Sequence, residues 1–599
     1  MLHHVFKRAP AATARYDWIL AITFIAYFFS AFGNGANDVA NAYATSVAAR
    51  TLSMLQVGFL SVITEFFGAV VLGERVTDTI KNGIITIDRF QGNPGTLMLA
   101  MGCAEVGSAT WLMFATGRGM PVSTTQTIVG ALIGVGFASQ SDIKWAWESG
   151  SVSQVAASWG IAPAIAGAFA ALVFATVKYS VLERKDSFKW GMRLIPVYFA
   201  FTAAVLALFI TVETPGSDLD ALGAGPATGI VLGVYFGVML ICYIFFMPFF
   251  ERKLVKKDTR LRVWHIPMGP LLRKDNVKLY FPGKGDEYVT NYYEDAYGNV
   301  TAGKKDEERA KATGHTTGND ASSSETNTRE QPYTDEEKAG ESSVLGKAPS
   351  DESALDPAAN PQEMKHRKKA YVSPYKRWIT PVEDLSWFNP MKLWAWFKFL
   401  LLRGVYMDCV THDSGKLREI HARAHRYDVR VEHLWTYCQV VSAMLMSIAH
   451  GSNDIANAVG PVAAVYSTYR TGEVDTESST PIWILVIGGL LLGLGFWFFG
   501  YHIIRSLGNK ITQMSPTRGF SIELGAAITV LLASRLGLPV STTQCLTGAA
   551  VGVALMNYDL GAVNWRQVAF IFMGWVLTLP AAGLISGLLC LMALNAPSF

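Results

Sequence analysis

Gly33-Asn34-Gly35-Ala36-Asn37-Asp38-Val39-Ala40-Asn41-Ala42 places carboxamides and a carboxylate inside an apolar run from Trp18 to Ala49, where Asp38 is the only formal charge. A charged side chain at the centre of a bilayer costs at least roughly 2.5 to 3.5 kcal/mol, so one retained there faces a cavity and holds something. The stretch returns as Gly451-Ser452-Asn453-Asp454-Ile455-Ala456-Asn457-Ala458, inside the run from Leu434 to Tyr466, where Asp454 is again the only acid. One explanation has to cover both copies.

Composition supports a membrane setting. Half of the 599 residues are hydrophobic and only 17% are charged, and the mean hydropathy is positive at +0.25. Apolar segments approaching or exceeding the roughly 20 residues of a spanning helix recur, among them Phe59 to Leu72, Thr96 to Ala115, Val155 to Val177, Pro196 to Val212, Ile230 to Phe250, Ile482 to Phe499 and Val568 to Leu594. Met1 to Tyr16 has bases but no short apolar core with a small-residue cleavage site, so the first span is expected to be retained. The six cysteines show no CxxC or close pairing, which indicates neither a metal site nor a disulfide framework. A net charge of +3 is too small to argue for nucleic acid.

A second motif is also duplicated. Pro121-Val122-Ser123-Thr124-Thr125-Gln126 follows Gly117-Arg118-Gly119-Met120, and Pro539-Val540-Ser541-Thr542-Thr543-Gln544 follows Gly537-Leu538; each precedes a small, apolar stretch. Gly and Pro break a helix and Ser or Thr starts the next, which predicts a half-helix beginning at each triplet within the membrane. Asp38 precedes Ser123 by 85 residues and Asp454 precedes Ser541 by 87, while Glu105 and Glu523 each lie 18 residues before their serine. Two motifs repeated at one spacing make an internal duplication. In transporters such halves are often inverted, with the binding site at midplane where broken helices meet. The expected fold is therefore an all-α polytopic membrane protein made of two inverted repeats with broken helices and re-entrant hairpins, with about ten to twelve transmembrane segments.

Residues 1–250 read as the N-terminal membrane repeat and the spans after it, 251–430 as a central loop, and 431–599 as the C-terminal membrane repeat. Arg252, Lys253, Lys256, Lys257, Arg260 and Arg262 crowd the start of the loop, which the positive-inside rule places in the cytoplasm. Thr301 to Arg367 is rich in Ser, Thr, Glu, Lys, Gly and Pro and is expected to be disordered. Trp378 to Leu402 mixes Trp387, Trp394 and Trp396 with Lys392 and Lys398, which suits either an interfacial amphipathic segment or a helix packed on the cytoplasmic ends. Asn299-Val300-Thr301 matches a glycosylation acceptor that a cytoplasmic position would keep silent.

The Ser-Thr-Thr triplets offer hydroxyls and free N–H groups at half-helix starts, where the dipole favours an anion such as a tetrahedral oxyanion. No Lys or Arg adjoins those hydroxyls in the motifs, and Asp38 and Asp454 add negative charge. An anion beside two carboxylates requires bound cations, and carboxylate, carboxamide and hydroxyl oxygens suit a hard ion such as Na⁺. The residues point to cation-coupled uptake of an anion. A lone Ser-Thr-Thr is usually only a cap; its duplication beside a buried Asp argues for binding. Glu65 and Glu105 are acids in the second and third apolar segments. Glu105 reads more readily as a helix-packing residue than as a transport acid, His450 equally as a gate or a packing histidine, and Arg118 and Arg535 as water-boundary residues.

Gly35 to Ala42, Gly451 to Ala458, the two Pro-Val-Ser-Thr-Thr segments and Arg518-Gly519-Phe520-Ser521-Ile522-Glu523-Leu524 resemble the inorganic phosphate transporter family, and the long central loop resembles its fungal sodium-phosphate symporters. The resemblance spans both membrane halves. It implies phosphate held by Ser123, Thr124, Thr125, Ser541, Thr542 and Thr543, and sodium held by Asp38, Asn41, Asp454 and Asn457 with Asn37 and Asn453. It also implies that Glu65 and Glu523 are acids required for transport. The chain departs from many members at Gln126, where they carry His. Sodium would be a co-substrate and no cofactor is expected, in a multi-pass protein of the plasma membrane. The competing readings are a proton-coupled carrier, a carrier of another oxyanion, and a phosphate-sensing receptor. An enzyme is disfavoured by the lack of a P-loop, a nucleophile-base pair or a metal-ligand cluster. The oligomeric state is left open, a homodimer included.

Overall fold

Pro121 cannot continue a helix and Ser123 can start one, and the chain breaks there in the computed structural model, which describes residues 13–147, 151–213, 223–283, 289–293, 371–410, 414–474 and 479–596. Ser123 caps its helix by accepting the Gln126 N–H (3.2 Å), and Ser541 does the same for Gln544 (3.3 Å). The helices of the first half are α1 (Asp17–Ala48), α2 (Met54–Leu72), α3 (Glu74–Asn82), α4 (Pro94–Gly117), α5 (Thr124–Ser139) and α6 (Val152–Val177). Then come α7 (Ser187–Glu213) and α8 (Ala224–Ile241), the latter prolonged to Val255. The central segment contributes α9 (Pro390–Leu402) and α10 (Gly415–Arg423). The second half repeats the first as α11 (Val429–Thr471), α12 (Ile482–Phe499), α13 (Tyr501–Ile511), α14 (Pro516–Arg535), α15 (Thr542–Leu555) and α16 (Trp565–Leu594).

Among the described residues, eight helices are long and apolar enough to cross a membrane. The 43-residue α11 and the 20-residue α14 are as long but carry more polar groups, and α5 and α15 are the short apolar half-helices expected at the triplets. α1 and α11 run unbroken through their Asn-Asp motifs, so the breaks fall at the two Pro-Val-Ser turns. The expected disorder from Thr301 to Arg367 and the Asn299-Val300-Thr301 acceptor lie outside the described residues.

The halves are interlaced. α1 packs on α12 while α11 packs on α2; α5 packs on α16 while α15 packs on α6; α3 lies on α11 while α13 lies on α1. Small residues make this possible. A Cβ added to Gly134 on α5 would sit 2.1 Å from the Gly583 carbonyl oxygen of α16, and one added to Gly552 on α15 would sit 2.3 Å from that of Gly167 on α6. Close backbone approach of this kind is how membrane helices associate without a hydrophobic driving force.

The direction of the half-helices shows the inversion. α15 ends beside Asn557, whose side chain accepts the His425 N–H (3.2 Å) just before α11 begins. α5 ends beside residues 84–86, with the Thr86 N–H on the Asp142 carbonyl (2.8 Å), and this end packs with Ala464, Val465 and Tyr469 where α11 finishes. The two half-helices thus start near each other and run to opposite faces.

On the face where α11 begins, α9 exposes Met391, Leu393, Trp394 and Phe397. Its Lys392 turns inward instead and donates to the Glu383 and Leu385 carbonyls (2.9 and 2.7 Å). At thirteen residues α9 is too short to span, and its exposed aromatic face favours the interfacial reading.

Gly552→Val drives a branched side chain into the Gly167 backbone, a cost of about 1 to 3 kcal/mol or more, whereas Gly233→Val on α8 meets nothing within 4 Å of the added Cβ. Thermal unfolding of the purified variants is expected to show a lower midpoint for the first alone. Equal midpoints would contradict the interlaced packing.

Candidate functional site

Two asparagines on α1, four residues apart and so on one face, do different work. Asn37 pins the hairpin of its own half: its Oδ1 accepts the Val122 N–H (3.1 Å), and its Nδ2 donates to Thr116 Oγ1 (2.9 Å) and the Met120 carbonyl (3.1 Å). Asn41 reaches across to the other hairpin, donating to Thr543 Oγ1 (2.8 Å) and Thr542 Oγ1 (3.3 Å). The second half mirrors this. Asn453 donates to the Val540 carbonyl (2.8 Å) of its own hairpin, and Asn457 donates to Thr124 Oγ1 and Thr125 Oγ1 of the opposite one (3.1 and 3.2 Å).

The aspartates close the cluster. Asp38 Oδ2 accepts the Thr124 hydroxyl (2.7 Å), and its Oδ1 lies 3.0 Å from Thr543 Oγ1 of the opposite hairpin. Asp454 Oδ2 accepts the Thr542 hydroxyl (2.9 Å). The tips also touch directly, Thr125 Oγ1 donating to the Val540 carbonyl (3.1 Å) and Thr543 Oγ1 lying 3.1 Å from the Val122 carbonyl. Ser123, Thr124, Thr125, Ser541, Thr542, Thr543, Asp38, Asn41, Asp454 and Asn457 are thereby brought together, all buried. Asn37 and Asn453 belong to the same cluster, with their amides spent on hairpin backbone. By contrast, Asn41 Oδ1 and Asn457 Oδ1 are buried acceptors with no hydrogen-bond donor, and so is Asn34 Oδ1. An acceptor buried without a donor is costly unless a cation or a donor meets it, so these carbonyl oxygens fit an oxygen-ligated cation.

The two remaining acids differ. Glu523 accepts four hydrogen bonds, from Thr45 (2.5 Å), Ser46 (2.7 Å), Gln439 (3.2 Å) and Ser442 (2.6 Å), which joins α1, α11 and α14. Glu65 accepts the Ser447 hydroxyl (2.5 Å) and faces His450 Nδ1 at 2.7 Å, and the other ring nitrogen of His450 lies 3.0 Å from Asp454 Oδ2. Ligand atoms of Asp38, His450 and Asp454 all fall within 4.8 Å of one another. The chain Glu65, His450, Asp454 has no mirror image. At the matching close approaches, Gly451 meets the Glu65 backbone and Gly35 meets that of Leu492, so the other half has Leu492 where this one has Glu65, and Asn34 in place of His450. Glu105 matches Glu523 in position but not in surroundings: it is fully buried, Ser30 lies beside it, and neither oxygen meets a donor in bonding geometry. Arg118 is exposed and Arg535 half-buried.

Sequence reading missed Thr45, Ser46, Gln439 and Ser442. A signal was available for the first pair, because seven and eight residues after Asp38 is two turns along the same face.

Residues 34–586 match the model of the phosphate transporter family. The chain belongs to that family. It is 39% identical to the phosphate-repressible phosphate permease pho-4 of Neurospora crassa, over 97% of this chain and 98% of the permease. It is 28% identical to sodium-dependent phosphate transporter 1 of Rattus norvegicus, over 96% of this chain and 95% of that protein. A solved structure of a protein described as the sodium-dependent phosphate transporter superposes with a TM-score of 0.59 at 23% identity, covering 96% of this chain and all of that one, a likeness of fold. Within the phosphate transporter family fold, the duplicated motifs thus meet in one buried cluster.

The unequal use of the asparagines is testable. Asn37→Ala strips the Val122 N–H of its acceptor, at about 1 to 3 kcal/mol, and is expected to lower the unfolding midpoint. Asn41→Ala removes an oxygen that nothing holds and two donations to threonine hydroxyls that keep other partners in Asp454, Asp38 and the Val122 carbonyl, and is expected to lower it less. The reverse order in a thermal unfolding series would contradict the division between pin and ligand.

Proposed function

We propose that the chain is a secondary active symporter that imports inorganic phosphate together with sodium ions across the plasma membrane, with residues 251–430 on the cytoplasmic side. The observation that carries this reading is the single buried cluster in which two hairpin tips, two aspartates and two asparagines from opposite halves interlock, in a member of a phosphate transporter family. The names of the Neurospora and rat relatives support phosphate as the anion, and the rat name supports sodium.

In this reading Ser123, Thr124, Thr125 and Ser541, Thr542, Thr543 bind phosphate through hydroxyls and half-helix N–H groups. Asp38, Asn41, Asp454 and Asn457 hold sodium, the asparagines through their free carbonyl oxygens, while Asn37 and Asn453 support the site by fixing the hairpins. Glu65 and Glu523 hold the helices that carry the aspartates. At 4 Å two unit negative charges repel by about 4 kcal/mol at an effective dielectric of 20, and a cation between carboxylate and phosphate reverses the sign. The tips now hold each other, so phosphate must replace Thr125 and Thr543 on the opposing backbone, and binding and separation of the hairpins are one event. The protein acts as a carrier and leaves the anion chemically unchanged. Proton coupling is the second reading, favoured by His450 between Glu65 and Asp454.

Phosphate flux into proteoliposomes, measured against sodium at fixed pH, separates these readings. Asp38→Asn and Asp454→Asn keep an oxygen ligand and remove a charge, and each is expected to shift sodium activation to higher concentration. Ser123→Ala or Thr542→Ala is expected to weaken apparent phosphate affinity by roughly 1.5 to 3 kcal/mol, tenfold or more. Unchanged sodium activation in both Asn variants, or wild-type flux driven by a pH gradient without sodium, would defeat the sodium assignment.

A further inference from the structure

Four basic side chains, Lys416, Arg505, Lys510 and Arg566, line one cavity of about 490 Å3 on the face where α11 begins. They come from three elements, α10, α13 and the first turn of α16. No acidic residue lines the cavity, and none of the four makes an ion pair among the described residues. Lys510 is half-buried, and its burial together with the neighbouring Arg505 holds its ammonium below the ordinary lysine range. Like charges gathered in a concavity repel unless an anion joins them.

Two more features converge on the same place. α16 is 30 residues long and its N-terminus opens there, so its dipole adds to the positive field. The rim is apolar: Phe570 lines the cavity at 45% exposure, and Trp565 beside it is 48% exposed. A spanning helix that starts with an exposed Trp and Phe next to an Arg sets that Arg at headgroup depth. The pattern also belongs to one half alone. Thr79 on α3 and Ser506 on α13 make the same contact with the opposite hairpin, which aligns Arg505 with Asp78 and Lys510 with Gly83. Ser151 and Asn564 cap α6 and α16 alike, which aligns Arg566 with Ser153. The repeated scaffold therefore does not need these cations. Topology alone asks for positive charge anywhere on this face and does not ask for convergence in one hollow.

We propose that this cavity binds the headgroup of an anionic phospholipid carrying more than one phosphate. The bilayer is the favoured source because the rim faces lipid and the cations lie at the interface, where basic pockets between transmembrane helices take phosphorylated headgroups. The pocket is also connected to the transport cluster. Gln567 Nε2 donates to the Ser506 carbonyl (3.0 Å), and Ser506 Oγ donates to the Gly119 carbonyl (2.8 Å) at the start of the first hairpin. Asn564 Nδ2 holds the Lys510 carbonyl (2.9 Å), and between Arg505 and Lys510 the helix bends at Gly508 (φ −46°, ψ −106°). A headgroup that draws Arg505, Lys510 and Arg566 together fixes α13 against α16, and with it the mouth of that hairpin.

The test is equilibrium binding of a fluorescent short-chain phosphoinositide with two ring phosphates to the purified full-length protein, a readout that does not depend on what the protein transports. Each cation contributes roughly fivefold near a charged membrane surface, so the variant Arg505→Gln, Lys510→Gln, Arg566→Gln is expected to bind on the order of a hundredfold more weakly. The exposed Arg566→Gln alone is expected to bind roughly fivefold more weakly, and a variant with Arg505→Lys and Arg566→Lys is expected to keep most of the affinity. Phosphatidylserine and inorganic phosphate are expected not to displace the probe. Undiminished binding in the triple and Arg566→Gln variants would overturn the proposal, as would displacement of the probe by inorganic phosphate at matched concentration, which would make the cavity a site for the free anion.

Discussion

Asparagine carboxamides crossing from one repeat to the hairpin of the other are the constraint on which the rest of the structure depends. Asn41 and Asn457 hold the threonines of the opposite tips, and neither half can complete its cluster alone. That requirement explains why α1 lies on α12 and α11 on α2, why the half-helices start at the centre and run to opposite faces, and why glycines replace larger residues where backbones of the two halves meet. It also makes the centre a coupled network, since each crossing amide shares its threonine hydroxyls with an aspartate or with the opposing hairpin backbone.

Much of this was legible in the chain. An acid alone in an apolar run, repeated at nearly the same distance from a Pro-Val-Ser-Thr-Thr, carried the duplication, the half-helix starts and the membership of the central cluster. Ser123 and Ser541 cap their helices as their residue type predicts. The sequence could not show which asparagine pins and which crosses, because Asn37 and Asn41 occupy one helical face and differ only in what lies opposite. The hydroxyl shell around Glu523 was hidden for a related reason: Thr45, Ser46, Gln439 and Ser442 are ordinary polar residues until the interlacing of α1, α11 and α14 gathers them.

The repeats are symmetric in backbone and unequal in chemistry. Glu65, His450 and Asp454 form a line of buried polar groups on one side of the site, where the other side has Leu492, Asn34 and Asp38. Equal scaffolds with unequal charges give the two aspartates different surroundings, so two bound cations would not be equivalent. The same inequality reaches the surface, where one face gathers basic residues that the aligned positions of the other half lack.

The central claim is that phosphate sits beside Asp38 and Asp454 only when cations separate them. Phosphate affinity of the purified protein, measured by equilibrium binding as sodium is replaced by choline at constant ionic strength and pH, tests it most directly. The account predicts that affinity rises steeply with sodium and that Asp38→Asn flattens the rise. Phosphate binding of equal strength in sodium and in choline would contradict it.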